Sequence, residues 1–285
     1  KAQPHAAAWL GAVPAPELGL HLSNAEFKAL TRWWLGLSVY PADRSCPLCH
    51  CQLDRGGQHA VACMARGERT VRHHDIRRRL ESELLGVGVP AEHEVRGLLP
   101  DFPDRRPGDL VLRDWYGGKD MAVDVTVSSP LQSAFRALSA EAGGVCAESA
   151  AATKVEERKQ GDQSTFALCE AAGIGFTPLA FETYGACCAS GQALLKHCAK
   201  ILAERRGQEL SVAVDHLYQG LSITLQRGNA RMLLSRMPDP GAPGPVDQLR
   251  AILEDSAAPP AQPSPAPSVP PSPVSSSSPH PAAQR

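Results

Sequence analysis

The chain contains 285 residues, with a formal net charge of -1, 43% hydrophobic residues and nine cysteines. This length allows one catalytic domain with attachments. The near-neutral charge excludes a positive electrostatic field around the whole protein, so any contact with nucleic acid must come from local basic patches. The odd number of scattered cysteines excludes a dense disulfide framework, and no apolar run is long enough to span a membrane. We therefore expect an intracellular chain with reduced thiols and no membrane partner, and the start at Lys1 predicts a piece of a longer polyprotein.

The first segment, residues 1–40, is expected to form a helical connector. An apolar stripe at helical spacing predicts a helix from Asn24 to Leu37, with Ser23 or Asn24 as its N-cap. Nothing in this segment carries chemistry, and we expect the stripe to pack onto the domain that follows.

A group of metal-ligand residues follows within residues 41–66, with the spacing C-x2-C-x9-H-x3-C. Two thiolates two residues apart fit a turn that presents both sulfurs to one ion, and the His-x3-Cys pair fits one turn of helix. We expect a structural zinc site, because four protein ligands leave no open position for a substrate. His50 and Cys51 are alternative ligands. The predicted zinc ligands are Cys46, Cys49, His59 and Cys63.

A basic segment comes directly after these residues. Its apolar residues recur at helical spacing and predict a helix over residues 69–85, which ends at two glycines. The polar face is either a solvated charged surface or a surface that contacts phosphates, and such contacts would supply affinity rather than sequence choice. The candidate nucleic-acid-binding residues are Arg66, Arg69, Arg72, His73, Arg77 and Arg78.

The stretch 106–126 predicts a β-hairpin. Residues 109–112 and 121–127 are short apolar or β-branched runs, and Gly117 and Gly118 lie between them as a turn signal. If these two glycines form a two-residue loop, the register of the whole hairpin is fixed, because a slip of one residue would move every side chain to the other face.

This register sets two carboxylates on one face of the hairpin. Asp109 is expected opposite Thr126 and Asp124 opposite Val111, so the two acids become diagonal neighbours, roughly 7–8 Å apart at the backbone. Asp124 also interrupts a run that otherwise indicates a buried strand, so it should be hydrogen-bonded, neutralised or bound to a cation. Asp109 alone could equally be a turn residue. Together, the two acids favour a metal site.

Two helices are predicted after the hairpin, over residues 130–142 and 150–172. The second helix carries Lys154 and Lys159. Other charged residues surround these lysines, so at least one of them is expected on a solvated face.

The remaining elements complete an α/β order. We expect an apolar strand at 176–182 and helices at 189–206 and 209–236, whose apolar stripes predict core packing. The second of these is predicted as a separate C-terminal helix over residues 207–237. Residues 238–285 are rich in proline and serine, which predicts a disordered tail.

These motifs stand in a specific order: CPLC…H…C, a basic helix with RHHDI, then RPGD, AVDVT, two lysines and FTPLAFETYG. The order resembles the C-terminal part of site-specific non-LTR retrotransposon polyproteins, where a Cys-Cys-His-Cys knuckle precedes a restriction-like endonuclease of the PD-(D/E)xK type. The similarity runs from Cys46 to Gly185, about half of the chain. It implies a restriction-endonuclease-like core over residues 67–206, with a central mixed sheet and flanking helices.

The resemblance also implies roles for individual residues. Asp109 would be the first metal-binding acid and Asp124 the second, and the lysine would come from the following helix, as Lys154 or Lys159. The chain departs from the family pattern by one glycine inside the Pro-Asp motif, by a threonine where an E-x-K lysine would stand, and by the long interval between the second acid and the lysine.

Two functions from different classes follow. The leading prediction is a Mg²⁺-dependent DNA endonuclease, in which carboxylate oxygens suit Mg²⁺ and a lysine orients the attacking water and offsets charge on the phosphate. The alternative is a catalytically inactive nucleic-acid-binding remnant that uses the zinc knuckle and the basic helix. DNA and element RNA are the expected partners, with an upstream reverse transcriptase in the same polyprotein, and a nuclear location is expected.

Overall fold

Six strands form two sheets in the computed structural model, which describes residues 3–156 and 163–237. The two shortest strands pair as an antiparallel ribbon. The other four form a mixed sheet in chain order, in which only the last pair is parallel. The strands are β1 (Arg44–Ser45), β2 (Gln52–Leu53), β3 (Ala91–His93), β4 (Leu110–Tyr116), β5 (Lys119–Ser128) and β6 (Gly175–Glu182).

Helices surround the mixed sheet. Three short 3-10 helices occur at Ala8–Leu10, Pro16–Leu18 and Ala65–Gly67. The α-helices of the described residues are α1 (Asn24–Trp34), α2 (Gln58–Ala62), α3 (Glu68–Leu85), α4 (Arg136–Glu141), α5 (Val145–Glu156), α6 (Thr165–Ala171), α7 (Ala189–Arg206) and α8 (Leu210–Leu234).

The central strand β5 supplies apolar side chains to both faces of the sheet, because successive residues of a strand point in opposite directions. On one face, Val123 and Val125 pack with α3, α7 and α8 in the main core. On the other face, Ala122 packs with Leu168 and Cys169 of α6. The sheet is thus the middle layer between helices, and the predicted mixed α/β class with flanking helices is confirmed.

The turn of the predicted hairpin is also confirmed. Gly117 and Gly118 both have positive φ, 61° and 76°, which suits a two-residue hairpin loop. Tyr116 and Lys119 pair across it, as the diglycine signal predicts.

Beyond this turn, the predicted register of the hairpin is wrong by two residues. The ladder is irregular between Leu112 and Tyr116, where Asp114 adopts a φ of 48°. This bulge takes up extra residues of β4, so Leu110 pairs with Val123. Because side chains alternate with a period of two, a shift of two residues leaves each of them on its expected face.

The helices between β5 and β6 differ from the prediction. Only α4 forms in the region expected as a helix over 130–142, and the single helix expected over 150–172 is two helices, α5 and α6. Ser164 separates them, since its backbone is extended and its side chain accepts from the N–H of Ala167 as an N-cap. Lys159 and the predicted disordered tail, 238–285, lie outside the described residues.

The described residues, 3–156 and 163–237, belong to one compact unit. α8 packs against α1, α3 and α7, and Trp33 of α1 stacks on Tyr184, which follows β6, with 4.1 Å between ring centroids. The segments predicted as a connector, a knuckle and a C-terminal helix therefore share their packing with the sheet. None of the described helices is both long and apolar enough to cross a membrane.

Candidate active site

Asp109 and Asp124 lie side by side, one just before β4 and the other in the middle of β5. The N–H of Asp109 donates to the carbonyl of Val123 (2.9 Å), which continues the ladder one residue beyond β4. The two carboxyl groups are within hydrogen-bonding reach of each other. Their predicted proximity is therefore confirmed, but in a register other than the predicted one.

Gly108, which separates Pro107 from Asp109, has a steric reason. A Cβ atom at this position would lie 2.8 Å from the carbonyl oxygen of Val123, closer than backbone atoms tolerate. Only glycine lets the chain approach β5 this closely, and the approach brings Asp109 beside Asp124.

His73 of α3 holds one oxygen of the first acid. Its Nε2 lies 2.9 Å from Oδ2 of Asp109, and the N–H of Val125 donates to the same oxygen at 2.7 Å. Sequence reasoning had His73 on a nucleic-acid-binding surface and missed this contact, because 36 residues separate it from Asp109. The carboxylate is thus fixed from a helix and from the neighbouring strand at once.

Lys154 of α5 completes the group. Its Nζ lies 2.9 Å from Oδ2 of Asp124, and the two side chains are 24% and 16% exposed. The lysine predicted on the helix after the second acid is therefore at the carboxylate pair, which from here on means Asp109 and Asp124. The competing candidate, Lys159, lies outside the described residues.

Two buried or paired carboxylates fix the orientation of α5. Glu182, at the end of β6, is 2% exposed and accepts from the N–H of Cys146 in the first turn of α5 (3.0 Å). Glu148 of α5 in turn accepts from the N–H of Ala189 at the start of α7 (2.6 Å). These contacts satisfy helix-terminal N–H groups and lock the helix that presents Lys154.

The pKa values of the carboxylate pair move in opposite directions. Burial raises the pKa of Asp124 to about 6, and the charge of Asp109 adds to the rise, although Lys154 opposes it. Burial also acts to raise the pKa of Asp109, but hydrogen bonds from His73, Asp124 and the Val125 N–H outweigh it and lower that pKa to about 2. Two acids in contact with unequal affinities for protons are a common property of sites that bind cations or transfer protons.

A cavity of about 440 Å³ opens onto the carboxylate pair. We call it the larger cavity. Its wall is basic, since Arg69, His74 and Lys154 line it and Arg69 is exposed to solvent. The arrangement places positive side chains around two hard oxygen ligands, which suits a phosphate group and a divalent cation.

The predicted basic surface is wrong at two positions. Arg72 is 1% exposed and Arg77 is 7% exposed. Arg72 donates to the carbonyl of Val61 (3.1 Å) and to Oδ1 of Asn229 (2.6 Å), whereas Arg77 pairs with Glu81 (2.9 Å). Both side chains are almost fully buried, although Arg72 also lines the larger cavity, while Arg66, Arg69 and Arg78 are exposed as predicted.

The sequence contained a signal for the burial of Arg72. Residue 72 stands one helical turn before Ile76, Leu80 and Leu84, so it continues the apolar stripe of α3. A Cβ on Gly228 of α8 would lie 2.5 Å from the Arg72 side chain, so the arginine packs directly on that glycine.

The predicted zinc ligands gather around one point. The ligand atoms of Cys46, Cys49, His59 and Cys63 all lie within 4.8 Å of one another, and we call these residues the Cys/His cluster. His50 and Cys51, the alternative ligands, are not members of this group.

Local structure explains how the cluster forms. Cys46 and Cys49 follow β1, and a hydrogen bond from the Cys46 N–H to the carbonyl of Cys51 closes their turn. Asp54 accepts from the N–H groups at the start of α2, the helix that carries His59. Burial acts to raise the pKa of Cys46, but hydrogen bonds from backbone N–H groups and from His59 outweigh it and lower that pKa to about 6. A thiolate so favoured is the form that binds metal ions.

Comparison with known proteins does not assign the chain to a family. The chain matches no known protein-family model and no curated protein. Function must therefore be argued from the site itself, and the resemblance to retrotransposon endonucleases stays a prediction.

Proposed function

We propose that this chain is a metal-dependent DNA endonuclease with a restriction-endonuclease-like core, derived from a site-specific non-LTR retrotransposon polyprotein. The single observation that carries the proposal is the contact of Lys154 with Asp124, directly beside Asp109. An acid, a second acid and a lysine from three separate segments meet in one basic cavity. This combination suits phosphodiester hydrolysis, which is catalysed mainly by positioning and by stabilisation of charge.

The carboxylate pair fits Mg²⁺. Both groups offer hard oxygen atoms, and burial together with the neighbouring Asp109 raises the pKa of Asp124 despite the attraction of Lys154, so a further cation would favour its ionised form. A divalent cation held by Asp109 and Asp124 would supply a Lewis acid to the phosphate oxygen. The second positive charge would also allow both carboxylates to remain ionised.

The other residues prepare the site for an anionic substrate. Lys154, held by Asp124, places a cation where charge develops on the phosphate during attack. His73 fixes the rotamer of Asp109, so that the carboxylate is already oriented before substrate arrives. Arg69 lies at the solvent-facing side of the larger cavity and is placed to contact a phosphate of the incoming strand.

The Cys/His cluster is proposed as a structural zinc site. Three thiols and one imidazole form the usual donor set of such sites. The segment between the cluster and α3 is short, and Arg72 of α3 donates to the carbonyl of Val61 in α2. Bound zinc would thus brace the helix that carries His73 and Arg69.

Partners and location follow from this proposal alone. A site that cuts DNA for a mobile element acts on nuclear DNA, beside element RNA and a reverse transcriptase encoded upstream. These statements are open to the same test as the activity.

The test is a plasmid-nicking assay with Mg²⁺ or with EDTA. We expect wild type to nick DNA only with Mg²⁺, and Asp109→Ala, Asp124→Ala and Lys154→Ala each to lower the rate at least about 100-fold. Asp101→Ala is the matched control, because Asp101 also follows a proline in the same loop but lies on the surface. A doubly substituted Asp109→Ala/Asp124→Ala protein that cuts at the wild-type rate would remove this site from consideration.

The same assay separates the alternative function. A catalytically inactive remnant would bind DNA at low salt but would not nick it under any metal condition. Binding without cleavage would therefore support the Cys/His cluster and α3 as a nucleic-acid-binding module and contradict the endonuclease proposal.

A further inference from the structure

The carboxylate pair also lines a second cavity, which we call the smaller cavity. It has a volume of about 180 Å³ and lies beside the loop that leads into β4. Because Asp109 and Asp124 line both cavities, the pair is accessible from two sides. The other residues around the smaller cavity are Glu94, Arg105, Arg106, Pro107, Gly108 and Thr165.

Arg105 has donor capacity that its surroundings do not use. Its Nη2 donates to Oγ1 of Thr165 (2.7 Å), and its guanidinium lies 6.0 Å from the ring centroid of Phe102. Its Nη1 is shielded from solvent, yet it has no hydrogen-bond partner within the described part of the chain. Arg106 differs, because its guanidinium pairs with Glu94 at 2.7 Å. A shielded guanidinium N–H without an acceptor is unfavourable, so a ligand that brings an acceptor would be stabilised there.

We propose that the smaller cavity binds a backbone phosphate of the cleaved DNA strand, next to the phosphate that reacts. Arg105 and the hydroxyl of Thr165 would bind this neighbouring phosphate. This inference rests on the proposed endonuclease function. The larger cavity, with Lys154, receives the phosphate that reacts, and the strand continues past the carboxylate pair into the smaller cavity. Arg105 thereby sets the register of the strand against Asp109 and Asp124.

The chemistry of the smaller cavity favours a phosphate over other ligands. The planar guanidinium matches the geometry of phosphate oxygens and binds them through two N–H groups. The volume is below the roughly 300 Å³ at which pockets for whole small molecules begin, so a phosphate group fits better than a complete nucleotide. The residues that line it are polar, charged or small, without an aromatic ring on which a base could stack.

A purely structural role for Arg105 is the competing explanation. In that case its contacts with Thr165 and Phe102 would hold the loop before β4, and the charge would be incidental. Arg105→Gln retains amide N–H groups but removes the charge, whereas Arg105→Lys retains the charge. Arg113→Gln is the matched control, since Arg113 lies in β4, outside both cavities, and is neutralised by Glu92 and Asp120.

The first measurement uses inorganic phosphate on the metal-free protein. We expect millimolar phosphate to raise the melting temperature of wild type, Arg105→Lys and Arg113→Gln more than that of Arg105→Gln, in which only the larger cavity can still bind phosphate. This readout requires no activity. An equal shift in Arg105→Gln and wild type would overturn the proposal, and so would the absence of a shift in wild type.

The second measurement uses a DNA substrate whose cleavage position has been mapped with wild type. A neutral methylphosphonate replaces the phosphate on one or the other side of the cleaved bond. We expect one of these replacements to slow wild type and Arg113→Gln about tenfold, but to slow Arg105→Gln little beyond its already reduced rate. If the methylphosphonate and Arg105→Gln instead lower the rate independently, the arginine does not contact that phosphate and the inference is wrong.

The two measurements distinguish the failure of this inference from the failure of the proposed function. Phosphate binding through Arg105 in a protein that never cuts DNA would support the anion site and contradict the endonuclease. Mg²⁺-dependent cleavage without coupling between Arg105 and a neighbouring phosphate would support the endonuclease and contradict the anion site. If Arg105→Gln does not fold, Arg105→Lys carries the test, because it must then retain both the phosphate-induced shift and the methylphosphonate effect.

Discussion

Replacing Asp124 with asparagine should stabilise the metal-free protein while abolishing cleavage. The pKa of Asp124 is raised from 3.8 to about 6 in the folded state, so its ionisation disfavours folding above pH 6. Each pKa unit corresponds to about 1.4 kcal/mol, which makes this penalty about 3 kcal/mol at pH 8. The penalty decreases as the pH falls through 6 and is absent below 3.8, where the carboxyl group is protonated in both states.

This value already includes the loss of the Lys154 contact, because the attraction of Lys154 lowers the pKa of Asp124 and so reduces its rise. The expected gain of Asp124→Asn therefore remains about 3 kcal/mol at pH 8. For a compact unit of this size the gain corresponds to about 6–12 °C in melting temperature. The assay is thermal unfolding with EDTA at pH 8 and pH 4.5, and the gain should largely disappear at the lower pH.

Asp109→Asn provides a control with the opposite sign. The pKa of Asp109 is lowered to about 2, so its ionised form stabilises the folded state above pH 3.8, and this contribution is lost as the pH falls towards 2. Asp109→Asn should therefore destabilise the protein by about 2 kcal/mol at pH 4.5, where Asp109 is ionised and Asp124 is largely protonated. Equal destabilisation by both substitutions, or a gain for Asp124→Asn that does not change with pH, would refute the reasoning.

Three further predictions concern the surroundings of the carboxylate pair. His73→Gln should lower the cleavage rate about tenfold with DNA affinity unchanged in a gel-shift assay, because a ligand-orienting contact to Asp109 is lost; unchanged cleavage would contradict the role of His73. Cys49→Ser should reduce the zinc released to a chromogenic chelator and lower the melting temperature by several degrees, and full retention of zinc would place the ion elsewhere. Arg72→Met should destabilise folding by about 3 kcal/mol, because it leaves buried acceptors unpaired. Arg69→Met should change stability by less than about 0.5 kcal/mol and reduce the salt slope of DNA binding by about one. The reverse pattern would show that Arg72, rather than Arg69, contacts DNA.

The hairpin illustrates what local sequence predicts and what it does not. The diglycine turn is a local signal, since both glycines need positive φ, and the structure confirms it. The bulge around Asp114 has only a weak signal, because aspartate adopts a positive φ more often than most residues but seldom requires it. The contact that holds the bulge, from the Asp114 N–H to Asp120 on the other strand, depends on the pairing itself. The predicted proximity of Asp109 and Asp124 is still correct because the bulge shifts the register by an even number of residues, which leaves both side chains on the same face.

Contacts between distant segments were beyond the reach of sequence patterns. Lys154 was expected at the site through the family resemblance, and Glu182, which anchors the start of α5, was noted only as the end of a strand. His73 was recognised as a polar residue of a basic helix, but its partner depends on how α3 crosses the sheet. Arg72 was the avoidable error, because its place in the apolar stripe could be read from the spacing alone.

The two proposed metal sites are mechanically connected through α3. Its first residue, Glu68, pairs with the fully buried Arg236 after α8 (2.6 Å), and one turn later Arg72 holds the carbonyl of Val61 beside the Cys/His cluster. The next residue, His73, holds Asp109. A helix fixed at these points cannot shift at one end without moving the other, since a packed interior transmits displacement rather than absorbing it. Loss of the structural ion should therefore loosen the hold of His73 on the first acid, although no ligand atom of the cluster lines either cavity that contains the carboxylate pair.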